Sequence, residues 1–433
     1  MTMSDDDLEI VPSQLLALLA PGTRAPTLED ALGLLESASD LGVSEIEPLT
    51  PEREDAEWEL LLSIRVEGRA EPARARAWLA PAPKDFLLEG VSWRGVTQND
   101  LALAEESQWA LGTELSFGGH PLRDFHAHVR LLAALTSDVA LVLDTNAVAP
   151  RSSRWLREVA LAQTPPSPST LFTIHDVGDS DTGPHWLHTH GLDRAGVIEL
   201  DALEVPAEGT ASVGQLLNAL ASLLLETGSP PPDEPFYGGE EIELLWLPWR
   251  EAVEKIARDV PGGAKDRLDP FHSRGRGVLF RPVEAASGRK YESIASYLPL
   301  LERDPLFYVS SYESERMALF ASERLPRFLD LLSRFGQESD WVFLVKLGYD
   351  ADGAEEREDR EHLWFRVHAQ SPGGVDATLL NQPYRVASLS EGMRGQHSLD
   401  LLSDWGVMSP HGRFGPDNVL ELERLLGERG ALH

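Results

Sequence analysis

The chain contains no cysteine. Disulfides, thiolate metal sites and a cysteine nucleophile are therefore excluded, and the composition fits a reducing compartment. Long apolar runs are also missing: stretches such as Leu217 to Leu225 fall far short of the ~20 residues that a membrane-spanning helix needs. The first residues, Met1 to Glu9, are acidic and lack the basic-then-apolar order of a signal peptide. The expected location is cytoplasmic, with no membrane contact. Basic residues are scarce, 38 against 71 acidic ones, for a formal net charge of -33. That charge repels phosphate backbones at long range and disfavours nucleic-acid binding. There is no G-x-S-x-G elbow, no H-E-x-x-H pair, and no G-x-x-x-x-G-K-[ST] or G-x-G-x-x-G loop after a strand. Serine acyl transfer, zincin chemistry and the familiar modes of nucleotide binding thus have no support.

What is present is ample for folding. An apolar fraction of 42% with 11 tryptophans describes a globular chain, and 433 residues exceed the usual size of one core. Residues 1–55 read as an acidic lead-in in which Thr27, followed by Glu29 and Asp30, caps a short helix. From residue 56 to 228, strands and helices intermix. Leu60, Leu62, Ile64 and Val66 alternate with period two, whereas Leu122, Phe125, Val129 and Leu132 fall at helical spacing over Pro121 to Leu135. Strands are also expected at Leu171 to Val177 and Trp186 to Thr189, and an apolar helix at Val213 to Leu225. The run Gly228 to Pro235 opens a Pro/Gly linker over 229–240. Residues 241–339 read as an α+β middle domain. Leu306 to Ser310 and Met317 to Ala321 are expected as strands, and Pro326 in the first turn of a helix. Residues 340–433 read as a β-rich module closed by a helix at Asp417 to Leu426. Several strands follow one another directly, so the expected class is α+β, with mixed, mainly antiparallel sheets and packed helices.

Candidate chemistry gathers at Trp186-Leu187-His188-Thr189-His190-Gly191-Leu192-Asp193-Arg194. On a strand, His188 and His190 at i and i+2 project from one face and suit two ligands of a zinc or another divalent metal. His175, Asp176 or His185 could be the third. The competing reading is structural, with histidines hydrogen-bonded at a strand end and Arg194 an exposed cation after a tight turn; base rates favour it. His126 and His128 lie about 200° apart on the expected helix and cannot share a ligand, one facing solvent and the other the helix border. Arg274, Arg276, Arg281, Arg289 and Lys290, with Phe271, Phe280 and Tyr291, form the one basic concentration. It could hold an anion or RNA, but a solvated loop is the expected outcome.

The string Trp-Leu-His-Thr-His-Gly-Leu with Arg194 and Glu199-Leu200, preceded by Pro165-Pro166-Ser167-Pro168 and Leu171-Phe172-Thr173-Ile174, resembles the bacterial domain-of-unknown-function family 4026 over about residues 50–330. Ala195 stands where that pattern leads one to expect cysteine. The last segment, about residues 340–415, is similar to a second such family, 2314. It carries Glu361-His362-Leu363-Trp364-Phe365, then Thr378-Leu379-Leu380-Asn381-Gln382-Pro383, and Asp404-Trp405. This likeness implies a small β-rich unit in which Trp364 and Trp405 pack and Asn381 to Pro383 turn. Neither resemblance implies an activity or a cofactor. Two functions are expected. The first is a non-enzymatic protein, of which an immunity-like protein is one form, whose acidic surface binds another protein with a basic surface; the alternative is a metal-dependent enzyme built on His188 and His190.

Overall fold

The computed structural model describes residues 10–84, 95–178, 183–256, 260–286, 288–303, 307–353 and 360–430. Met1 to Glu9, read above for a signal peptide, lie outside the described residues. The chain forms two compact units, Met1–Val309 and Ser310–His433.

The first unit opens with a seven-stranded antiparallel sheet. Its strands are β1 (Ser13–Leu19), β2 (Ser44–Leu49), β3 (Trp58–Ile64), β4 (Ala73–Pro81), β5 (Trp109–Leu115), β6 (Val139–Asp144) and β7 (Ala149–Ser152), in the order β2-β3-β4-β5-β1-β6-β7. β1 pairs with both β5 and β6, so the stretch read as a lead-in supplies a central strand. Leu15, Ala17 and Leu18 are fully buried. A strand covered on both faces shows an apolar run rather than alternation, and that disguised it. Helix α1 (Leu28–Ser37) carries the expected cap at Thr27; α2 (Gln98–Glu105), α3 (Pro121–Leu135) and α4 (Ser153–Leu161) follow. α3 buries Leu122, Phe125, Val129 and Leu132 as its spacing requires. Contrary to expectation, neither His126 nor His128 faces solvent. His128 is wholly buried between Thr113 Oγ1 at 2.9 Å and Ser13 Oγ at 3.1 Å, and His126 Nε2 meets Val159 O at 3.0 Å.

A second sheet follows in the same unit. It comprises β8 (Thr173–Gly178), β9 (Pro184–His190), β10 (Glu199–Pro206), β11 (Phe236–Gly239), β12 (Ile242–Pro248), β13 (Arg276–Ala285) and β14 (Gly288–Ser293). The order is β11-β12-β13-β10-β9-β8, with β14 pairing with β13. All its ladders are antiparallel except β10 with β13. That parallel ladder unites in one sheet the residues read above as two domains. The proposed linker is stitched in as well: β11 pairs with β12, and Trp246 Nε1 donates to Pro230 O at 2.8 Å. Helix α5 (Thr210–Thr227) lies against the face that carries Leu187. The other face carries Trp186, Leu203, Leu245, Val278 and Phe280, under the segment with α6 (Trp249–Ala252) and α7 (Pro270–Ser273). A short helix, α8 (Leu298–Leu301), follows β14.

The second unit begins with α9 (Ser311–Phe335), capped by Ser310 Oγ, which accepts from the Glu313 N–H at 3.0 Å. Met317 to Ala321, expected as a strand, lies in the N-terminal half of this helix, and Pro326 sits deep inside it. Phe320, Ala321, Phe328, Leu331 and Leu332 share its buried stripe, and that long-range period outweighs the short apolar run. Nor do residues 307–310 form a strand: only the bridge from Phe307 to Gly239 is present there, in the first unit. The second unit's sheet has β15 (Val342–Asp350), β16 (Arg360–Ser371), β17 (Gly374–Leu379), β18 (Arg394–Ser398), β19 (Leu402–Ser409) and β20 (Gly412–Phe414). Their order is β18-β17-β16-β15-β19-β20, and α10 (Val419–Gly430) ends the described chain. The class is α+β, as expected. Among the described residues no helix is long and apolar enough to cross a membrane.

Candidate metal centre

Strand β9 presents Trp186, His188 and His190 on one face because side chains alternate with period two. Its antiparallel neighbour β8 sets His175 directly opposite His188. The three imidazoles therefore converge. Ring centroids lie 5.5 Å apart for His175 and His188, 4.8 Å for His175 and His190, and 4.9 Å for His188 and His190. One nitrogen from each falls within 4.8 Å of those of the other two. A fourth imidazole, His272 of α7, stands 5.3 Å from both His188 and His190.

His188 is 1% exposed, and neither of its ring nitrogens has a hydrogen-bond partner among the described residues. Leaving a buried polar group unsatisfied costs about 1–3 kcal/mol. Trp186 stacks on the His188 ring with centroids 3.8 Å apart, which holds the imidazole upright. Burial, reinforced by the Arg276 guanidinium, keeps His188 and His190 far below the ordinary histidine range. His175 is shifted the same way by burial, His272 and Arg276. All three are neutral near pH 7, the form in which imidazole donates a lone pair to a metal.

Beneath the rings lies a buried ion cluster. Asp201, opposite His188 across the β9–β10 ladder, accepts from Trp186 Nε1 at 3.0 Å, Arg267 Nη1 at 2.7 Å and Arg276 Nη2 at 2.9 Å. Burial alone pushes its carboxyl up, but the two guanidiniums outweigh burial and hold it well below the usual carboxylate range. Those cations also fasten the covering segment. Arg267 donates to Gly262 O at 2.9 Å and His272 O at 3.1 Å, and Arg276 Nη1 to Phe271 O at 2.9 Å. Gly262 has φ +78°, and a Cβ there would come within 2.5 Å of Trp186, so only glycine lets this segment close on the ring.

The other candidates separate from this cluster. Asp176 and His185 occupy the opposite face, where His185 Nδ1 and Asp176 Oδ1 pair at 2.6 Å; strand alternation excludes Asp176 as a ligand beside His175. Arg194 is not an exposed cation. It is fully buried, and bonds Asp144 Oδ1 at 2.8 Å, Leu171 O at 2.9 Å, Gly191 O at 3.0 Å and Ser13 Oγ at 3.0 Å. It ties the Gly191 turn to β1 and β6, with these bonds going to neither His188 nor His190. Glu199 completes that turn by accepting the N–H groups of Gly191, Leu192 and Asp193 on one oxygen. The basic run is not a solvated loop: Arg274 caps the end of α7, and Arg276 to Lys290 belong to the β13–β14 hairpin. Arg276 is buried on Asp201, Arg281 lies over Tyr297, and Arg289 pairs with Glu284 and Asp233.

In the second unit, Glu361 accepts the N–H groups of Tyr384 and Arg385, and His362 Nδ1 meets Ser403 Oγ at 2.9 Å. Trp405 is in the core, donating to Ala321 O at 2.9 Å, whereas Trp364 lies on the other face of β16 near Lys346. Asn381 Oδ1 accepts the Trp364 N–H at 3.0 Å.

Sequence reasoning missed His272, Asp269, Asp201 and Arg267. The first, second and fourth lie in a Gly- and Arg-rich stretch without periodicity. For Asp201, the available signal was its strand position directly following Leu200.

Comparison with known proteins places this region. A family model described as protein of unknown function (DUF4026), N-terminal, matches residues 13–166, and its C-terminal counterpart matches residues 174–280. The second match contains all four histidines together with Asp201, Arg267, Asp269 and Arg276. The likeness of residues 340–415 to family 2314 rests on the quoted motif residues alone. No curated protein and no solved structure matches the chain.

Proposed function

The chain belongs to the DUF4026 family, and from the site within its C-terminal match we propose that it binds a divalent transition-metal ion through His175, His188 and His190. The observation that carries this reading is His188, buried with both nitrogens unpartnered among the described residues, between two further neutral imidazoles. An all-nitrogen donor set disfavours magnesium and calcium, which take oxygen ligands, and favours zinc, copper, nickel or cobalt. Binding would draw the three donor atoms, now within 4.8 Å of one another, to the roughly 3.3 Å edge of a zinc tetrahedron. With water in a fourth position such an ion acts as a Lewis acid; with a fourth protein ligand it is structural.

Titration calorimetry of the chelator-treated chain with zinc tests the proposal. One equivalent should bind to the parent protein, and none with comparable affinity to His188→Ala or His190→Ala. Binding that both variants retain would place the ion elsewhere. A second role, recognition of a basic protein, is supported by the net charge of -33 and would be independent of the ion. Association with a cationic partner that does not weaken as salt rises would contradict it.

A further inference from the structure

We propose that His272 is the fourth ligand of this ion, so that the centre is closed and clasps the segment around α7 onto the sheet; the inference rests on the metal-binding reading above. The His272 ring stands 5.3 Å from those of His188 and His190, inside the 4.8–5.5 Å range that separates the other three. Its approach is edge-on, with interplanar angles of 75° and 72°. His272 thus reaches two of the three rings, those of His188 and His190, while the donor atoms already within 4.8 Å of one another are those of His175, His188 and His190.

The imidazole is prepared for the task. Its Nδ1 lies 2.8 Å from Asp269 Oδ2, and Asp269 in turn accepts the His272 N–H at 3.1 Å as the cap of α7. With Nδ1 engaged by the carboxylate, Nε2 is the nitrogen that keeps a lone pair. A carboxylate behind a ligating histidine fixes its tautomer and raises its basicity. The carboxylate also adds negative charge beside a site where Arg267 and Arg276 outnumber Asp201. The backbone carbonyls of His272 and Phe271 are held by those same two guanidiniums, so the ligand arrives on a fastened segment.

The test uses the full chain loaded with cobalt(II), whose visible absorption is several-fold stronger in a tetrahedral site than in a five- or six-coordinate one. The parent protein should show the tetrahedral spectrum. His272→Gln should retain cobalt with a weaker, higher-coordinate spectrum and at least tenfold lower affinity. Asp269→Asn, which leaves the ring in place, should lose about 10–100-fold in affinity with the spectrum still tetrahedral. Hydrogen exchange over residues 260–273 should slow on metal addition in the parent and much less in His272→Gln. If cobalt binds and depends on His188 while His272→Gln leaves spectrum, affinity and exchange unchanged, His272 is not a ligand and the site is open to water. If the parent binds no cobalt, the metal-binding reading itself fails, and this inference with it. Should His272→Gln not fold, Asp269→Asn and the exchange data on the parent decide the matter: unchanged affinity and unprotected amides would overturn it.

Discussion

His188 stands directly across the β8–β9 ladder from His175, their ring centroids 5.5 Å apart, with no hydrogen bond on either His188 nitrogen among the described residues. A buried imidazole of this kind destabilises the metal-free protein and, under the proposed metal binding, stabilises the loaded one. In the chelator-treated chain, His188→Leu is therefore expected to be neutral or stabilising by about 1–2 kcal/mol, since an apolar group replaces an unsatisfied polar one. Added zinc should stabilise the parent by about 4 kcal/mol at a thousandfold excess over its dissociation constant, and should leave the variant unchanged. Urea unfolding with and without metal measures both.

Stability should also fall in mild acid because of His128, which lies on α3 and is not among the proposed ligands. Burial, aided by Arg194, pushes this imidazole down to about 3 in the folded chain, between Thr113 and Ser13. The unfolded chain takes up the proton near pH 6.5, so the folded state loses about 1.4 kcal/mol per pH unit from there down to about pH 3. Above pH 6.5 the contribution is pH-independent. His128→Gln should remove its own share of this slope, leaving that of the other buried histidines, and parallel urea midpoints at pH 7.5 and 4.5 for parent and variant give the difference.

Removing Arg194 should weaken the fold without touching the metal. Its pairing with Asp144 has both side chains fully buried, and Arg194→Met leaves that carboxylate unpaired, a loss of about 3–5 kcal/mol. Metal stoichiometry in the folded fraction should equal that of the parent. A variant that folds normally but loses its ion would show that Arg194 belongs to the site.

The Gly191 turn should tolerate no side chain. Its φ is +111°, and a Cβ would overlap Leu171 O and press on Arg194 Nη2. Gly191→Ala is expected to destabilise by more than the ~1 kcal/mol of an ordinary glycine replacement, because strain and overlap add. Thermal unfolding measures it.

Much of the architecture was legible because local periods carried it. The spacing of Leu122, Phe125, Val129 and Leu132 located α3, and the alternation from Trp186 placed His188 and His190 on one face. The same alternation could have removed Asp176 from the ligand set, since it neighbours His175 on one strand. What was not legible depends on long-range placement. β1 carries no alternation because both its faces are covered, and the stripe of α9 emerges only over 25 residues. His272 lies 82 residues beyond His190, and nothing local to it signals a ligand; the parallel β10–β13 ladder and the buried Asp201 bring it there. Arg194 read as exposed because it follows the Gly191 turn, while its partners Ser13 and Asp144 come from distant strands.

Elemental analysis of the full chain, purified without an affinity tag or chelator, tests the central claim most directly. About one equivalent of zinc or a neighbouring transition metal per chain is expected, and well under a tenth of that in His188→Ala prepared alongside. A parent protein that carries no metal, and takes up none when zinc is supplied during purification, would contradict the account.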